Sequence, residues 1–122
     1  RMLLSSVSFF HGSGRVEIRG TPKIDTVEMS VIDAQTLLLT TTFDGVTNQR
    51  SFSRGEVRSI VFRGYGGNDV FFNKTDRRAT LYGGAGNDRL VGGTLDDSLY
   101  GEEGDDQLFG LSENDKLYGT YR

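Results

Sequence analysis

Two patterns of apolar residues divide the chain. Through residue 63 they come in short strand-like runs, and from Gly64 onward they recur every ninth residue. Arg1 to Phe10 is mildly apolar through Met2, Leu3, Leu4, Val7, Phe9 and Phe10, and reads as a first strand or a cap over one end of the fold. Arg15 to Arg19 alternates polar with apolar, the two-residue period of a half-buried strand. Val27 to Ile32 and Thr36 to Phe43 are rich in β-formers and predict two more strands. Asp44-Gly45 then precedes Val46 to Ser53, and Asp-Gly between two strand-like runs predicts a tight hairpin. Val57 to Arg63 is a further strand that leads directly into Gly64. No segment shows a helical period with caps. Residues 1–63 are therefore expected to form a β-rich meander, or irregular coils, covering the open end of the C-terminal half.

The second half is built on a nine-residue unit. Its clearest copy is Gly83-Gly84-Ala85-Gly86-Asn87-Asp88-Arg89-Leu90-Val91. Glycine stands at positions one, two and four, Asn or Asp at five, Asp at six and an apolar residue at eight. The same register places Asp88, Asp97, Asp106 and Asp115 at six, and Leu90, Leu99, Leu108 and Leu117 at eight. An upstream copy, Gly64 to Phe72, carries Asp69 and Phe71 in those places, with a degenerate copy one residue longer in between. Positions one to six suit tight turns with positive φ. Positions seven to nine suit a three-residue strand whose middle side chain points inward. One turn and one short strand cannot bury an apolar residue, but stacked neighbours can. Two repeats then make one flattened coil, and residues eighteen apart lie one above another. Leu81, Leu99 and Leu117 share one wall; Leu90 and Leu108 share the other, with Phe71 above them. Position nine faces outward, giving a Tyr82–Tyr100–Tyr118 ladder on one face and a Phe72–Val91–Phe109 ladder on the other.

Stacked turns bring chemistry with them. Neighbouring strands lie about 4.8 Å apart, so Asp88 above Asp106, and Asp97 above Asp115, would crowd their carboxylates. Bare carboxylates that close repel, and one must take a proton or the stack must open. A hard divalent cation resolves the conflict: calcium accepts about six to eight oxygens from carboxylates and backbone carbonyls. Glycines let carbonyls approach the ion, because no Cβ intervenes. The residue at position five (Asn68, Asn87, Asp96, Asp105, Asn114) is expected to order its turn through local hydrogen bonds.

Five such copies resemble the RTX, or hemolysin-type, calcium-binding nonapeptide repeat over Gly64 to Tyr118. The resemblance implies an all-β fold: a right-handed parallel β-roll, or β-solenoid, over residues 64–122, capped by residues 1–63. It also implies several calcium ions held between successive turns on each edge. Carried over residue by residue, the ligands are Asp69, Asp88 and Asp106 on one edge and Asp97 and Asp115 on the other. Carbonyls of Gly66, Gly84, Gly86, Gly93 and Gly104 complete the shells. Leu95, Glu102, Glu103 and Leu111-Ser112-Glu113 depart from the glycine pattern, and such residues take positive φ only at a cost. In the degenerate copy Asn73, Thr75 and Asp76 are candidates for an irregular site. Gly20, Asp25 and Val27 occupy positions one, six and eight of a worn copy, which makes Asp25 a further candidate; a polar turn before a strand reads equally well.

Composition narrows the function. Apolar content of 35% with 17 glycines among 122 residues suits a thin, ladder-like interior. There is no cysteine, hence neither disulfide nor thiol chemistry. The net charge of −3 conceals an acidic repeat half, with eleven acidic against six basic residues from Gly64 onward. No basic cluster points to nucleic acid, and no apolar run of about 20 residues could span a membrane. His11, the single histidine, sits before Gly12-Ser13-Gly14 and reads as a loop residue. Neither HExxH nor Gly-x-Ser-x-Gly occurs, so no enzymatic activity is expected. The expected function is a calcium-binding folding module of a secreted or cell-surface bacterial protein, acting outside the cell. Its alternatives are a glycan-binding or adhesion unit using the aromatic ladders, or an accessory domain of a larger secreted enzyme.

Overall fold

The computed structural model describes residues 6–111 and 115–119. Met2, Leu3, Leu4 and Ser112 to Asn114 lie outside them, together with the expectations placed on those positions. Strand β1 (Ser6–Phe10) folds back antiparallel on β2 (Arg15–Arg19). In β2 the alternation holds only in part: Val16 and Ile18 are fully buried and Arg19 is exposed, but Glu17 between them is buried as well and pairs with Arg19 at 2.9 Å. Strands β3 (Asp25–Asp33), β4 (Thr36–Phe43) and β5 (Val46–Ser53) form an antiparallel meander. Asp44 and Gly45 turn β4 into β5 with φ of 51° and 75°, the pair of positive values a two-residue hairpin needs. A 3-10 turn, Arg54–Glu56, then leads into β6 (Ser59–Arg63). The remaining strands are short: β7 (Val70–Asn73), β8 (Arg78–Tyr82), β9 (Arg89–Val91), β10 (Ser98–Tyr100), β11 (Gln107–Phe109) and β12 (Lys116–Tyr118). There is no α-helix among the described residues.

The fold is all-β and its two six-stranded sheets are mixed. One runs β1-β2-β6-β8-β10-β12, the other β11-β9-β7-β3-β4-β5. Pairing is antiparallel at β1–β2 and through β3–β4–β5, and parallel elsewhere. From β5 onward the chain crosses to the other sheet after every strand. Leu99 therefore lies between Leu81 and Leu117, and Leu90 between Phe71 and Leu108, in the register expected from the nine-residue period.

The parallel stack begins earlier than Gly64. β2 pairs in register with β6, and β3 with β7, so these two strands form a coil of their own (Ile18 beside Phe62, Val27 beside Phe71). The β4–β5 hairpin is an excursion inserted between that coil and the next, and it hides the period from a sequence reading. Side chains from both sheets meet in one continuous core running from Val16 and Met29 to Leu90 and Leu99. Phe62 and Phe71 face each other across it with ring centroids 5.1 Å apart. The core thins along the stack: each three-residue strand supplies one inward residue, and Leu117 in β12 is already 48% exposed.

Candidate metal centre

The turns between strands stack along two edges. Asp25 opens β3, and Asp69, Asp88 and Asp106 precede β7, β9 and β11 on the same edge; Asp97 and Asp115 precede β10 and β12 on the other. Every carboxylate of this row except that of Asp25 reaches back to the preceding coil. The amide of Asp25 donates to Oδ1 of Asp69 (2.8 Å), that of Asp69 to Asp88 (2.8 Å) and that of Asp88 to Asp106 (2.7 Å). On the second edge the amides of Ala79 and Asp97 donate to Asp97 and Asp115, at 2.9 and 2.7 Å. One oxygen each of Asp69, Asp88, Asp97, Asp106 and Asp115 thus serves as a rung between coils and fixes the register.

The second oxygen separates the turns into two kinds. Oδ2 of Asp69, Asp88 and Asp106 is buried and has no hydrogen-bond partner. Asp25 instead receives the Thr21 amide at Oδ2 (2.7 Å) and the Thr21 hydroxyl at Oδ1 (2.9 Å). Asp97 receives the Gly93 amide at Oδ2 (2.9 Å). Position-one glycines make room for these oxygens: a Cβ built on Gly83 or Gly101 would lie 2.5 or 2.6 Å from Oδ2 of Asp88 or Asp106.

A buried carboxylate without a counter-charge resists ionisation. Burial, reinforced by the charges of Asp25 and Asp88, pushes Asp69 up to about 9 despite the amide bond from Asp25. Burial together with Asp106 and Glu102 pushes Asp88 to about 7. Burial, with the Asp115 charge, takes Asp97 to about 6. Asp25 and Asp106 are raised as well, burial again being the main cause. The protein alone leaves Asp69, Asp88 and Asp106 incompletely satisfied as carboxylates.

Backbone oxygens crowd the same turns. Gly66 lies on the Pro22 carbonyl, Gly84 on that of Tyr65, Gly86 on that of Gly67, Gly104 on that of Gly86, and Gly93 on that of Thr75, each too close for a side chain without adjustment. At position five Asn68 and Asn87 work between coils: the Asn87 amide donates to Oδ1 of Asn68 (2.7 Å) and the Asp105 amide to Oδ1 of Asn87 (2.8 Å). Among the described residues no three His, Cys, Asp or Glu side chains converge on one point. A cation held here would take its charge from one or two aspartates and its remaining ligands from backbone carbonyls, which is calcium's chemistry. The orphaned oxygens of Asp69, Asp88 and Asp106 fit that requirement.

The degenerate copy is organised differently. Oδ1 of Asn73 accepts the Thr75 amide and hydroxyl (3.0 and 2.6 Å), while Nδ2 donates to the Arg77 carbonyl (2.8 Å). Asp76 pairs with Arg54 and Arg77 at 2.8 and 2.9 Å. Burial would raise Asp76, but those two guanidinium groups hold it below the usual carboxylate range. Position six is Ala79, so this turn carries no buried carboxylate at the ladder. Arg54 is not legible in the sequence because Asp76 lies 22 residues away, nor is the Arg77 bond to the Arg54 carbonyl, 23 residues away; Thr21 binds Asp25 within a single turn. His11 packs on Phe9, centroids 4.4 Å apart.

Outside, the tyrosines stack as expected, Tyr82 on Tyr100 at 4.8 Å and Tyr100 on Tyr118 at 4.7 Å, with planes within 9°. Arg63 lies over the free face of Tyr82 (4.8 Å). On the other sheet Val91 is too small to bridge Phe72 and Phe109, and the Arg89 guanidinium approaches both rings, at 5.8 and 5.2 Å.

With that geometry in place, comparison with protein families finds the model of the RTX calcium-binding nonapeptide repeat, in four copies, over residues 82–117. Residues 82–117 are an RTX calcium-binding repeat segment. No curated protein and no solved structure matches the chain. The RTX segment contains Asp88, Asp97, Asp106 and Asp115. Asp69 and Asp25 lie upstream of it, yet the same hydrogen-bonded ladder runs through them.

Proposed function

We propose that the protein is a calcium-binding structural module whose repeat coils fold when the ion binds. The observation that carries this reading is the row of buried Oδ2 atoms of Asp69, Asp88 and Asp106 with no protein partner. Calcium supplies the missing charge, and carbonyls at glycine positions such as Gly84, Gly86 and Gly104 supply further oxygens. Because these ligands line up only when the coils stack, binding free energy becomes folding free energy. The alternating, parallel arrangement supports a right-handed β-roll with ions between successive turns. The module works outside the cell, where calcium is plentiful enough for weak extracellular sites to fill.

The chain is proposed to act as scaffold rather than enzyme, since the carboxylates of Asp97 and Asp106, in the pairs Asp96-Asp97 and Asp105-Asp106, are committed to the ladder. The tyrosine ladder stiffens its sheet. A sugar ring stacks on an aromatic face, and the faces between Tyr82, Tyr100 and Tyr118 are already taken by one another. Calorimetric calcium titration of the full chain, followed in parallel by circular dichroism, tests the function. Heat of binding should accompany a gain of β signal, reversed by chelator. A full β signal in excess chelator at pH 8, with no binding heat, would overturn it.

A further inference from the structure

Calcium binding does not by itself explain why some turns carry an orphaned carboxylate oxygen and others do not. The two kinds separate by the backbone of the second turn residue. Where Oδ2 is orphaned, that residue has positive φ: Tyr65 at 68° before Asp69, Gly84 at 81° before Asp88, Glu102 at 67° before Asp106. Where Oδ2 is capped, the second residue is Thr21 or Gly93, neither with positive φ, and its own amide makes the bond. The left-handed conformation turns that N–H away from the carboxylate, while the ordinary conformation aims it there.

Tyr65 and Glu102 hold this conformation although side chains at positive φ are disfavoured. Glycine at the same place in Gly84 needs no such concession. The concession is understandable if the conformation opens the site.

We propose that φ at the second turn residue decides which turns hold calcium. The turns ending at Asp69, Asp88 and Asp106 are open to the ion; those ending at Asp25 and Asp97 are closed by their own amide. Occupancy therefore follows backbone conformation rather than the mere presence of an aspartate. This inference rests on the calcium reading of the same carboxylates.

The test compares Glu102→Gly with Glu102→Val in the full chain. Both remove the same charge, but glycine keeps positive φ accessible while a β-branched residue opposes it. Calorimetry should count as many ions in Glu102→Gly as in the parent, and one fewer in Glu102→Val, with circular dichroism confirming that both fold. Should Glu102→Val fail to fold, Tyr65→Gly and Tyr65→Val make the same comparison at Asp69. Asp88→Asn should lose one ion and Asp97→Asn none. Equal counts in the glycine and valine variants, or an ion lost in Asp97→Asn, overturn the proposal while leaving calcium binding intact. A parent chain that binds no calcium overturns the calcium reading itself.

Discussion

Asp25 and Asp88 occupy equivalent turn positions along one edge and are provided for in opposite ways. Asp25 belongs to a coil made of five- and nine-residue strands, flanked by the β4–β5 hairpin and backed by Val16, Ile18, Val27, Met29, Leu37 and Leu39. Its carboxylate is satisfied by Thr21. Asp88 belongs to a coil of shorter strands, in which β9 contributes a single core leucine, and one of its oxygens has no partner. The lesson is that the two ends of the stack draw on different sources of stability. The N-terminal coil is held by apolar burial and protein hydrogen bonds. The repeat coils order nine residues for each buried leucine, and on the proposed reading the bound ion supplies what so little burial leaves short against chain entropy.

Removing calcium is the largest way to break the contrast. In excess chelator at pH 8, amide exchange at Leu90 and Leu99 should accelerate by orders of magnitude, while amides of Ile18 and Met29 stay protected. Uniform loss or uniform retention of protection would show that the two regions do not differ as described.

Acidity should partly replace the ion. Asp97, Asp88 and Asp69 have folded-state values of about 6, 7 and 9, above the ordinary 3.8. Each holds its proton more tightly in the folded chain. Its contribution to metal-free stability is complete below about 3.8 and is lost as pH rises through those values. The metal-free melting temperature should therefore fall between pH 5 and pH 9. Calcium affinity should rise over the same range, because the ligands must be deprotonated. A metal-free melting temperature that rises with pH would contradict the burial of these groups.

Much of the repeat half is legible in the sequence, for a physical reason. A nine-residue period with glycine and aspartate in fixed places dictates turn, strand and stacking together, so the wall residues Leu81, Leu99 and Leu117 and the tyrosine ladder follow from spacing alone. The coil formed by β2 and β3 is only half visible, because the β4–β5 hairpin interrupts its period and Thr21 stands where a repeat has glycine. The clasp of Arg54, Asp76 and Arg77 is invisible, since it joins residues 22 and 23 positions apart through tertiary packing. The local role expected for Asn68 and Asn87 gives way to bonds between coils, because the stack brings the next turn's amide within reach of each side-chain oxygen.

Smaller changes sharpen the contrast. Leu99→Ala empties a fully buried position at the thin end of the core and should cost about 2–5 kcal/mol in denaturant unfolding of the calcium-loaded chain. Thr21→Val removes a hydroxyl from a buried carboxylate and should cost about 1–3 kcal/mol without changing the number of ions bound. Tyr100→Leu interrupts both ring stacks and should cost about 0.5–1.5 kcal/mol, again with calcium binding unchanged.

The most direct measurement follows the aspartate carboxyl carbons by NMR during a calcium titration of the full chain. Saturating shifts should appear at Asp69, Asp88 and Asp106, with Asp25 and Asp97 moving little. A titration that leaves Asp69, Asp88 and Asp106 unshifted would contradict the assignment of calcium to these buried carboxylates.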